Sequence, residues 1–211
     1  STTTVIQRAK TLGCYQTKKK KKDHHDRQVL TAASGDLIQH DASLHLWSPY
    51  ASEKWTLITS LDDYSRMVLY AELVESETSW AHIQAAQYLM QTFGIPQRYY
   101  VDNLRVFRFI QNRDSVWQKQ VLGTDDVNTQ WREVLAQMHT DVVYALSPQA
   151  KGKIERPYRW MQDRIVRTCA LEHVSTLSEV RNVLREEIHR YNFLQIHSTT
   201  QEIPGIRFEK A

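Results

Sequence analysis

The sequence of 211 residues has few of the features that mark secreted or membrane-embedded proteins. It contains two cysteines, Cys14 and Cys169, and no CxxC pair, so neither a disulfide-stapled scaffold nor a structural zinc site is supported. No run approaches the roughly 18 apolar residues of a membrane span, and no apolar signal-peptide segment is visible. We therefore expect a protein of a reducing, intracellular compartment with no membrane partner.

The composition is that of an ordinary globular domain. Hydrophobic residues make up 41% of the chain and charged residues 24%, and ten Tyr, six Trp and five Phe can fill a sizeable core. Collagen, long coiled coils and wholly disordered chains are excluded. The length predicts one domain, at a prior of roughly 150 residues per domain. Because the chain begins with Ser1 and not with Met, we expect a fragment of a longer protein.

The net charge of +3 is unevenly distributed along the chain. Residues 1–32 carry eight Lys and Arg against two Asp, whereas the rest carries 19 basic against 22 acidic residues. Five consecutive lysines in the first segment repel one another: Lys18, Lys19, Lys20, Lys21 and Lys22. We interpret residues 1–32 as a basic flexible arm or linker, which either contacts DNA phosphates or is only a solvated tail.

Hydrophobic periodicity predicts an α/β domain over residues 33–211. Strands are expected where apolar residues alternate or form short runs, at 36–42, 54–62, 66–74, 98–101 and 141–145. Helices are expected where they recur every three or four residues, at 80–93, 129–138, about 154–172 and 177–191. The short connection between the second and third strands predicts an antiparallel pair. The order favours a five-stranded mixed sheet flanked by helices.

Three carboxylates stand out by their positions. Asp41 lies late in the first predicted strand, Asp102 ends the fourth, and Glu155 lies near the start of the long helix. Asp is a poor strand former, and a carboxylate among apolar residues has to be paired, protonated or bound to a cation. Three carboxylates brought together would raise one another's pKa unless a cation neutralised them, and hard oxygen ligands suit Mg²⁺ or Mn²⁺.

Each carboxylate also has a purely structural interpretation, and periodicity does not show that the three converge. Asp41 could pair with a lysine or with His40, and Asp102 could cap a turn with Asn103. Glu155 could be an acid favoured by the dipole at a helix start. His40 itself could tune Asp41 or simply be packed. Asp62 and Asp63 lie at a predicted turn, where Asp is expected for structural reasons.

In their order, these motifs resemble those of the retroviral integrase superfamily of DDE transposases and integrases, above all bacterial insertion-sequence transposases. The main motifs are the strand Asp41, the pair Asp102-Asn103 and the segment Ser147-Pro148-x-x-x-Gly152-x-x-Glu155-Arg156. Further matches are Asp62-Asp63-Tyr64-Ser65-Arg66, Glu77-Thr78, Tyr191-Asn192, His197-Ser198-Thr199, Ile203-Pro204 and Phe208. The resemblance covers roughly residues 34–209; each motif is weak alone, and the ordered set is specific.

The resemblance implies a ribonuclease H-like fold and a metal-dependent polynucleotidyl transferase that nicks DNA ends and joins them to a target. It implies that Asp41, Asp102 and Glu155 are the catalytic residues and ligate two Mg²⁺ or Mn²⁺ ions. The implied partners are element-end DNA, target DNA and further copies of the chain, in the bacterial cytoplasm at the nucleoid. A non-catalytic DNA-binding or assembly module and a simple nuclease of the same fold remain as alternatives.

Two features depart from the family pattern. The 52 residues between Asp102 and Glu155 exceed the family's usual spacing, and the excess lies in a polar segment that no periodicity assigns. We expect residues 105–128 to be an insertion near the active site. Pro157 follows Glu155 by two residues, and proline is tolerated only in the first turn of a helix. The helix is therefore expected to begin close to Glu155 or to kink there.

The segment around Glu155 is basic, since residues 147–170 carry six Lys and Arg against two acids. By the resemblance, this part of the helix lies against DNA. The residues expected to bind DNA are Lys151, Lys153, Arg156 and Arg159, together with the lysine run 18–22. The alternative is a solvated helix face, on which Lys and Arg are common.

Overall fold

A computed structural model describes residues 2–14, 31–102, 106–107, 129–145 and 155–210, without the side chains of residues 2, 3, 6 and 155–157. Its strands are β1 (Ile38–His45), β2 (Trp55–Asp62), β3 (Val68–Val74), β4 (Arg98–Val101) and β5 (Asp141–Tyr144). Its helices are α1 (Thr2–Thr11), α2 (Ser79–Phe93), α3 (Gln130–Gln137), α4 (Glu155–Leu171), α5 (Leu177–Phe193) and α6 (Pro204–Glu209).

The strands form one mixed sheet in the order β3-β2-β1-β4-β5. The first three are joined by short connections and pair antiparallel, whereas β4 and β5 join in parallel after helical crossovers. Strand β2 lies second from the β3 edge and all eight of its residues are buried. The five-stranded mixed sheet and the antiparallel pair of β2 and β3 are as the sequence predicts.

The two faces of the sheet are covered by different helices. Leu57 and Leu61 of β2 pack with Met161 and Ile165 of α4, in a core that also includes residues of α5. On the opposite face, Ile38, Tyr99 and Val101 of the sheet pack with Leu89 of α2 and with Trp131 and Leu135 of α3. Each fully buried side chain of this kind stabilises the fold by about 1.5–3 kcal/mol. The sheet is therefore the middle of three layers.

The ends of α2 and α5 follow from local sequence. Thr78 precedes α2, and its side chain accepts a hydrogen bond from the Ala81 amide, while Gly94 ends the helix at a φ of 97°. Residues with a side chain rarely adopt that backbone angle. At α5, Thr176 and Glu179 form a reciprocal capping box. A side-chain cap of this kind contributes about 1 kcal/mol.

The N-terminal segment departs from the interpretation of residues 1–32 as wholly flexible, because Thr2–Thr11 are helical. Periodicity does not reveal α1 since only Val5, Ile6 and Ala9 are apolar there, too few for a stripe. The helix is continued by local backbone bonds, such as Leu12 N–H to the Arg8 carbonyl at 3.0 Å. The lysine run 18–22 lies outside the described residues, so its role stays a prediction.

Strand β1 begins and ends later than the predicted range of 36–42. Asp36 belongs to a turn, because its Oδ2 accepts hydrogen bonds from the amides of Ala32 and Ala33 at 2.9 and 3.0 Å. The strand continues to His45 because it pairs with β2 along its whole length. Helix α6 was not predicted either, since its six residues are too few to show periodicity. Of the expected insertion at 105–128, only residues 106 and 107 are described.

Candidate active site

The register of the sheet brings Asp41 and Asp102 side by side. Strands β1 and β4 are parallel, with Gln39 opposite Tyr100. Extended by two residues, that register places Asp41 opposite Asp102, which directly follows β4. Opposed residues in a sheet point to the same face and alternate along each strand. The two aspartates therefore share a face, although 60 residues separate them in sequence.

That face is the one covered by α4. Asp41 is opposite Thr59 of β2, whose neighbours at alternate positions, Leu57 and Leu61, pack against α4. The Tyr158 hydroxyl of α4 donates a hydrogen bond to the Asp41 carbonyl at 2.6 Å. One turn further along α4, Gln162 Nε2 donates to Ser43 Oγ at 3.2 Å. The helix thus runs directly over the part of β1 that carries Asp41.

Glu155 is the first residue of α4. It precedes Tyr158 by three residues and Gln162 by seven, so all three positions belong to one face of the helix. Since Tyr158 and Gln162 contact β1, position 155 lies on the β1-facing side at the end nearest Asp41. The helix start at Glu155 also agrees with Pro157, which falls in the first turn, as the sequence requires.

Both aspartates are largely buried, with 9% of Asp41 and 6% of Asp102 exposed. Asp41 Oδ1 accepts a hydrogen bond from the Ala42 amide at 3.0 Å. Burial raises the pKa of the Tyr158 phenol well above its usual value, and the nearby Asp41 charge adds to that rise. Tyr158 is therefore a neutral hydrogen-bond donor beside a carboxylate throughout the physiological pH range.

The oxygen ligands that Asp41 and Asp102 offer fit a hard divalent cation. Adjacent buried carboxylates repel each other unless a positive charge lies between them. Among the side chains that the structure describes, no three His, Cys, Asp or Glu residues form a metal-binding group. The Glu155 side chain is outside that set.

The pairing of Asp41 with His40, one of the structural interpretations, is not what the fold provides. His40 points to the opposite face of the sheet, where its Nδ1 lies 2.8 Å from Ser60 Oγ. Its Nε2 lies 2.8 Å from His82 Nδ1, so both ring nitrogens are occupied. His82 Nε2 in turn lies 3.0 Å from Glu77 Oε1. His40 is packed, which was the second interpretation of this residue.

No sequence pattern indicates the buried chain of hydrogen bonds that connects Ser60, His40, His82 and Glu77. Burial lowers the pKa of His40 well below its ordinary value, and His82 lowers it further. Three aromatic rings surround the His40 imidazole: Tyr99, Phe107 and Trp131. Glu77 and His82 lie five residues apart around the start of α2, a spacing with no distinctive pattern. Only the packing of α2 on β1 brings them to His40.

Asp62 and Asp63 have the structural role expected of a turn. Asp62 accepts hydrogen bonds from the amides of Gly35 and Ser65, at 2.9 and 2.7 Å, and from the Ser65 hydroxyl. Burial raises the pKa of the Asp62 carboxyl. Asp63 forms an ion pair with Arg66 at 3.0 Å and accepts a hydrogen bond from Gln39. Both carboxylates are thereby committed to the β2–β3 turn.

The expected DNA-binding residues are only partly described. Arg159 is exposed on α4, four residues after Glu155. Lys151, Lys153 and the Arg156 side chain lie outside the described part. Two other arginines of α4 form ion pairs, Arg164 with Glu187 and Arg167 with Asp163. Arg159 is therefore the basic residue near Glu155 whose position the structure reports.

Comparison with known sequences gives two related bacterial proteins, and no family model matches the chain. A Sinorhizobium fredii protein named as a transposase, y4bF, is 27% identical over 180 residues, which cover 85% of this chain and 38% of that protein. The transposase for insertion sequence IS1202 of Streptococcus pneumoniae is 29% identical over 159 residues, covering 75% of this chain and 32% of the relative. The chain thus spans about a third of the length of these relatives.

Solved structures with the same fold are retroviral integrase cores. The catalytic core domain of HTLV-2 integrase, in complex with magnesium, matches 83% of this chain and 97% of its own, with a TM-score of 0.61 and 15% identity. A simian T-cell lymphotropic virus intasome matches 93% of this chain and 62% of its own, with a TM-score of 0.67 and 14% identity. The catalytic core domain of BIV integrase has a TM-score of 0.56 at 15% identity, over 83% of this chain and 95% of its own.

This chain has the fold of a retroviral integrase catalytic core, and the two related sequences are named as transposases. The fold of the core is the ribonuclease H-like fold that the ordered motifs imply, with the mixed sheet and flanking helices in the expected places. Within the described ranges of the core, no helix is both long enough and apolar enough to cross a bilayer.

Proposed function

We propose that this core performs the two phosphoryl transfers of a DNA transposase. The observation that carries the proposal is the parallel register of β1 and β4 beneath the first turn of α4. Extended by two residues, that register would put Asp41 beside Asp102, below the position of Glu155. The two related sequences named as transposases support the same activity. The core spans a minority of the length of those relatives, so the proposal covers the chemical steps and not the recognition of a particular element end.

Asp41, Asp102 and Glu155 would hold the divalent ions, Mg²⁺ or Mn²⁺, two in number. The HTLV-2 integrase core is in complex with magnesium, which supports this choice of ion. When bound, such ions neutralise the charge on a phosphodiester and lower the pKa of an attacking oxygen. Buried carboxylates within or directly after parallel strands hold their oxygens in fixed positions, which a two-ion arrangement needs.

In the first transfer, a water oxygen bonds to phosphorus at the element end, the bond from phosphorus to the 3′ oxygen breaks, and that oxygen takes up a proton. In the second, the new 3′ hydroxyl attacks a phosphodiester of the target, and a target 3′ hydroxyl leaves. Neither step forms a covalent bond to the protein. The core contributes by holding the DNA so that the attacking oxygen, the phosphorus and the leaving oxygen are in line. Such positioning accounts for much of the catalysis of phosphoryl transfer.

The partners of this reaction are DNA and further copies of the core. Lys151, Lys153, Arg156, Arg159 and the lysine run 18–22 would contact phosphates, which gives affinity without sequence preference. Joining two ends to one target requires at least two active sites, so a homo-oligomer follows. The HTLV-2 integrase core is dimeric or trimeric in its solved structures. We place the activity in the bacterial cytoplasm, where the element and its target lie.

The test is a joining assay with labelled branched DNA and Mg²⁺ or Mn²⁺. We expect Asp41→Asn, Asp102→Asn and Glu155→Gln each to lower the rate by at least about a hundredfold, because each removes a charged ligand. The matched control is Asp163→Asn, which makes the same change at a half-exposed acid of α4 that pairs with Arg167. It should keep nearly full activity.

The alternatives predict different products in the same assay. A simple nuclease would cut the DNA without joining it, and a non-catalytic module would bind DNA without cutting. Full activity of the Glu155→Gln variant would remove Glu155 from the site.

A further inference from the structure

The Tyr158 hydroxyl forms two hydrogen bonds that connect three elements of the core. It donates to the backbone carbonyl of Asp41 on β1 at 2.6 Å and accepts from the Thr59 hydroxyl of β2 at 2.7 Å. The side chain is buried, with 6% exposed. Both hydrogen-bonding functions of the phenol are therefore used in an environment with little competing water, where each bond is stronger than at the surface.

A second contact fixes the direction of α4. Gln162, one turn after Tyr158, donates to Ser43 Oγ, and Ser43 follows Asp41 by two residues on the same face of β1. Two points of contact, one turn apart on the helix and two residues apart on the strand, define both the height and the angle of α4 over β1. We call these two hydrogen bonds, Tyr158 with Asp41 and Gln162 with Ser43, the latch.

The apolar packing of α4 does not by itself supply this precision. Met161 and Ile165 bury the helix against β2 and α5, but hydrophobic burial is non-directional. Such contacts set no hydrogen-bond direction, so the orientation of α4 is fixed more sharply where it is also hydrogen-bonded to β1. Catalytic groups have to be held within about 0.5 Å of their productive positions.

We infer that Tyr158 is a positioning residue of the proposed active site, with Gln162 as its second contact. By bonding the main chain of Asp41 itself, Tyr158 sets the distance between that residue and position 155, three residues earlier on the same helix face. The inference rests on the proposed function, in which Asp41 and Glu155 share divalent ions. Tyr158 touches neither the DNA nor the reacting atoms and acts through the placement of α4.

The decisive variants are Tyr158→Phe and Gln162→Met, which keep the size of each side chain and remove its hydrogen bond. The matched control is Ile165→Val, a buried residue of the same helix whose truncation weakens packing without touching the latch. All variants are compared with the unmodified chain after circular dichroism shows that they are folded.

Two measurements separate the latch from a general loss of stability. Hydrogen exchange at the amides of residues 158–162 should become faster in Tyr158→Phe and stay unchanged in Ile165→Val. Calorimetric titration with Mn²⁺ should give an affinity about tenfold weaker in Tyr158→Phe, the usual effect of losing a group that orients a metal ligand. Gln162→Met should show the same changes to a smaller degree, and Ile165→Val should bind Mn²⁺ normally.

Two outcomes would overturn the inference, and they are distinguishable. Unchanged Mn²⁺ affinity in Tyr158→Phe, with normal binding by the unmodified chain, would refute the positioning role and leave the proposed function intact. No Mn²⁺ binding by the unmodified chain would refute the metal-dependent function, and with it any role of Tyr158 in that reaction.

Discussion

The side chain of Asn192 pairs with both backbone groups of Val68. Its Oδ1 accepts from the Val68 amide at 2.9 Å and its Nδ2 donates to the Val68 carbonyl at 2.8 Å. Strand β3 is an edge of the sheet, and unpaired edge groups invite association with other strands. Asn192 of α5 therefore acts as a short substitute for a neighbouring strand and connects the helix to the sheet edge.

Replacing Asn192 should destabilise the core in a pH-dependent way. At neutral pH, Asn192→Asp places a carboxylate oxygen against the Val68 carbonyl, and we expect a loss of about 2–3 kcal/mol because a buried bond is replaced by repulsion. As the pH falls below about 5, the carboxyl takes up a proton and can again donate to that carbonyl, so the loss should shrink. Urea unfolding at pH 7 and pH 4.5 measures both values. Asn192→Leu is the control, because its loss should not recover in acid; equal recovery in both variants would contradict the assignment.

The buried chain of hydrogen bonds through His40 should be sensitive to the removal of His82. If His82 is neutral, its Nε2–H donates to the Glu77 carboxylate, its Nδ1 accepts from His40 and the Ser60 hydroxyl donates to His40. His82→Phe would leave a buried His40 N–H without an acceptor, so we expect a loss of about 1–3 kcal/mol in unfolding free energy. Denaturation of the metal-free chain measures this loss.

Glu77→Gln is the matched variant for that experiment. Glu77 is partly exposed, and the amide oxygen of Gln can still accept from His82. Its loss should stay below about 1 kcal/mol. A larger loss in Glu77→Gln than in His82→Phe would show that the charge of Glu77, and not the hydrogen-bond chain, stabilises this region.

The two cysteines should differ sharply in reactivity. Cys14 is exposed and Cys169 is buried, and burial raises the pKa of the Cys169 thiol to about 11. Titration of the folded chain at pH 8 with a thiol reagent should therefore label one cysteine rapidly, and the second only after unfolding. Cys14→Ser should abolish the rapid phase. Rapid labelling of Cys169 in that variant would show that α4 does not pack as described.

The same thiol predicts a loss of stability in alkali. The unfolded chain releases the Cys169 proton at its ordinary pKa of 9.0, whereas the folded chain keeps it until about 11. The contribution to stability is therefore complete below pH 9 and is lost as the pH rises towards 11, by about 1.4 kcal/mol per pH unit. The measurement is the difference in unfolding free energy between the unmodified chain and Cys169→Ala across this range. A constant difference would contradict the raised pKa.

DNA binding by the face of α4 that bears Glu155 should show in the salt dependence of affinity. Each phosphate contact contributes about 0.9 to the slope of log affinity against log salt for duplex DNA. We expect Arg159→Gln to reduce the slope by about 1 and the replacement of all five lysines 18–22 by Gln to reduce it by several. Arg167→Gln is the control, because Arg167 is paired with Asp163. An unchanged slope after the five lysine changes would make residues 18–22 a linker only.

Much of the chain's local structure is encoded in short segments of sequence. Strand β2, with its alternating Trp55, Leu57 and Leu61, lies where the period-two pattern predicts it, and α2 ends at Gly94. The turn at Asp62 and Asp63 also follows from residue types alone. These features depend on contacts between near neighbours in the chain, so a pattern of a few residues is sufficient to specify them.

Sequence patterns do not predict structure where a segment has no periodicity, or where contacts with distant residues determine the arrangement. Helix α1 has too few apolar residues to show a stripe, so the sequence pattern predicts a flexible arm there and no helix. The sequence also does not decide whether His40 tunes Asp41 or is simply packed. Alternation along β1 puts His40 and Asp41 on opposite faces of the sheet, but it does not say which elements cover those faces. The partners Ser60 and His82 come from other strands and helices.

The sequence by itself determined the order of the five strands and of helices α2 to α5, and it indicated three candidate carboxylates and a family whose motifs they resemble. Only the tertiary structure decided the parallel register of β1 and β4, which, when extended by two residues, sets Asp102 beside Asp41. It also decided that Tyr158 reaches the Asp41 carbonyl across 117 positions of sequence. Such contacts depend on the packing of the whole sheet against α4, which periodicity within one segment does not encode.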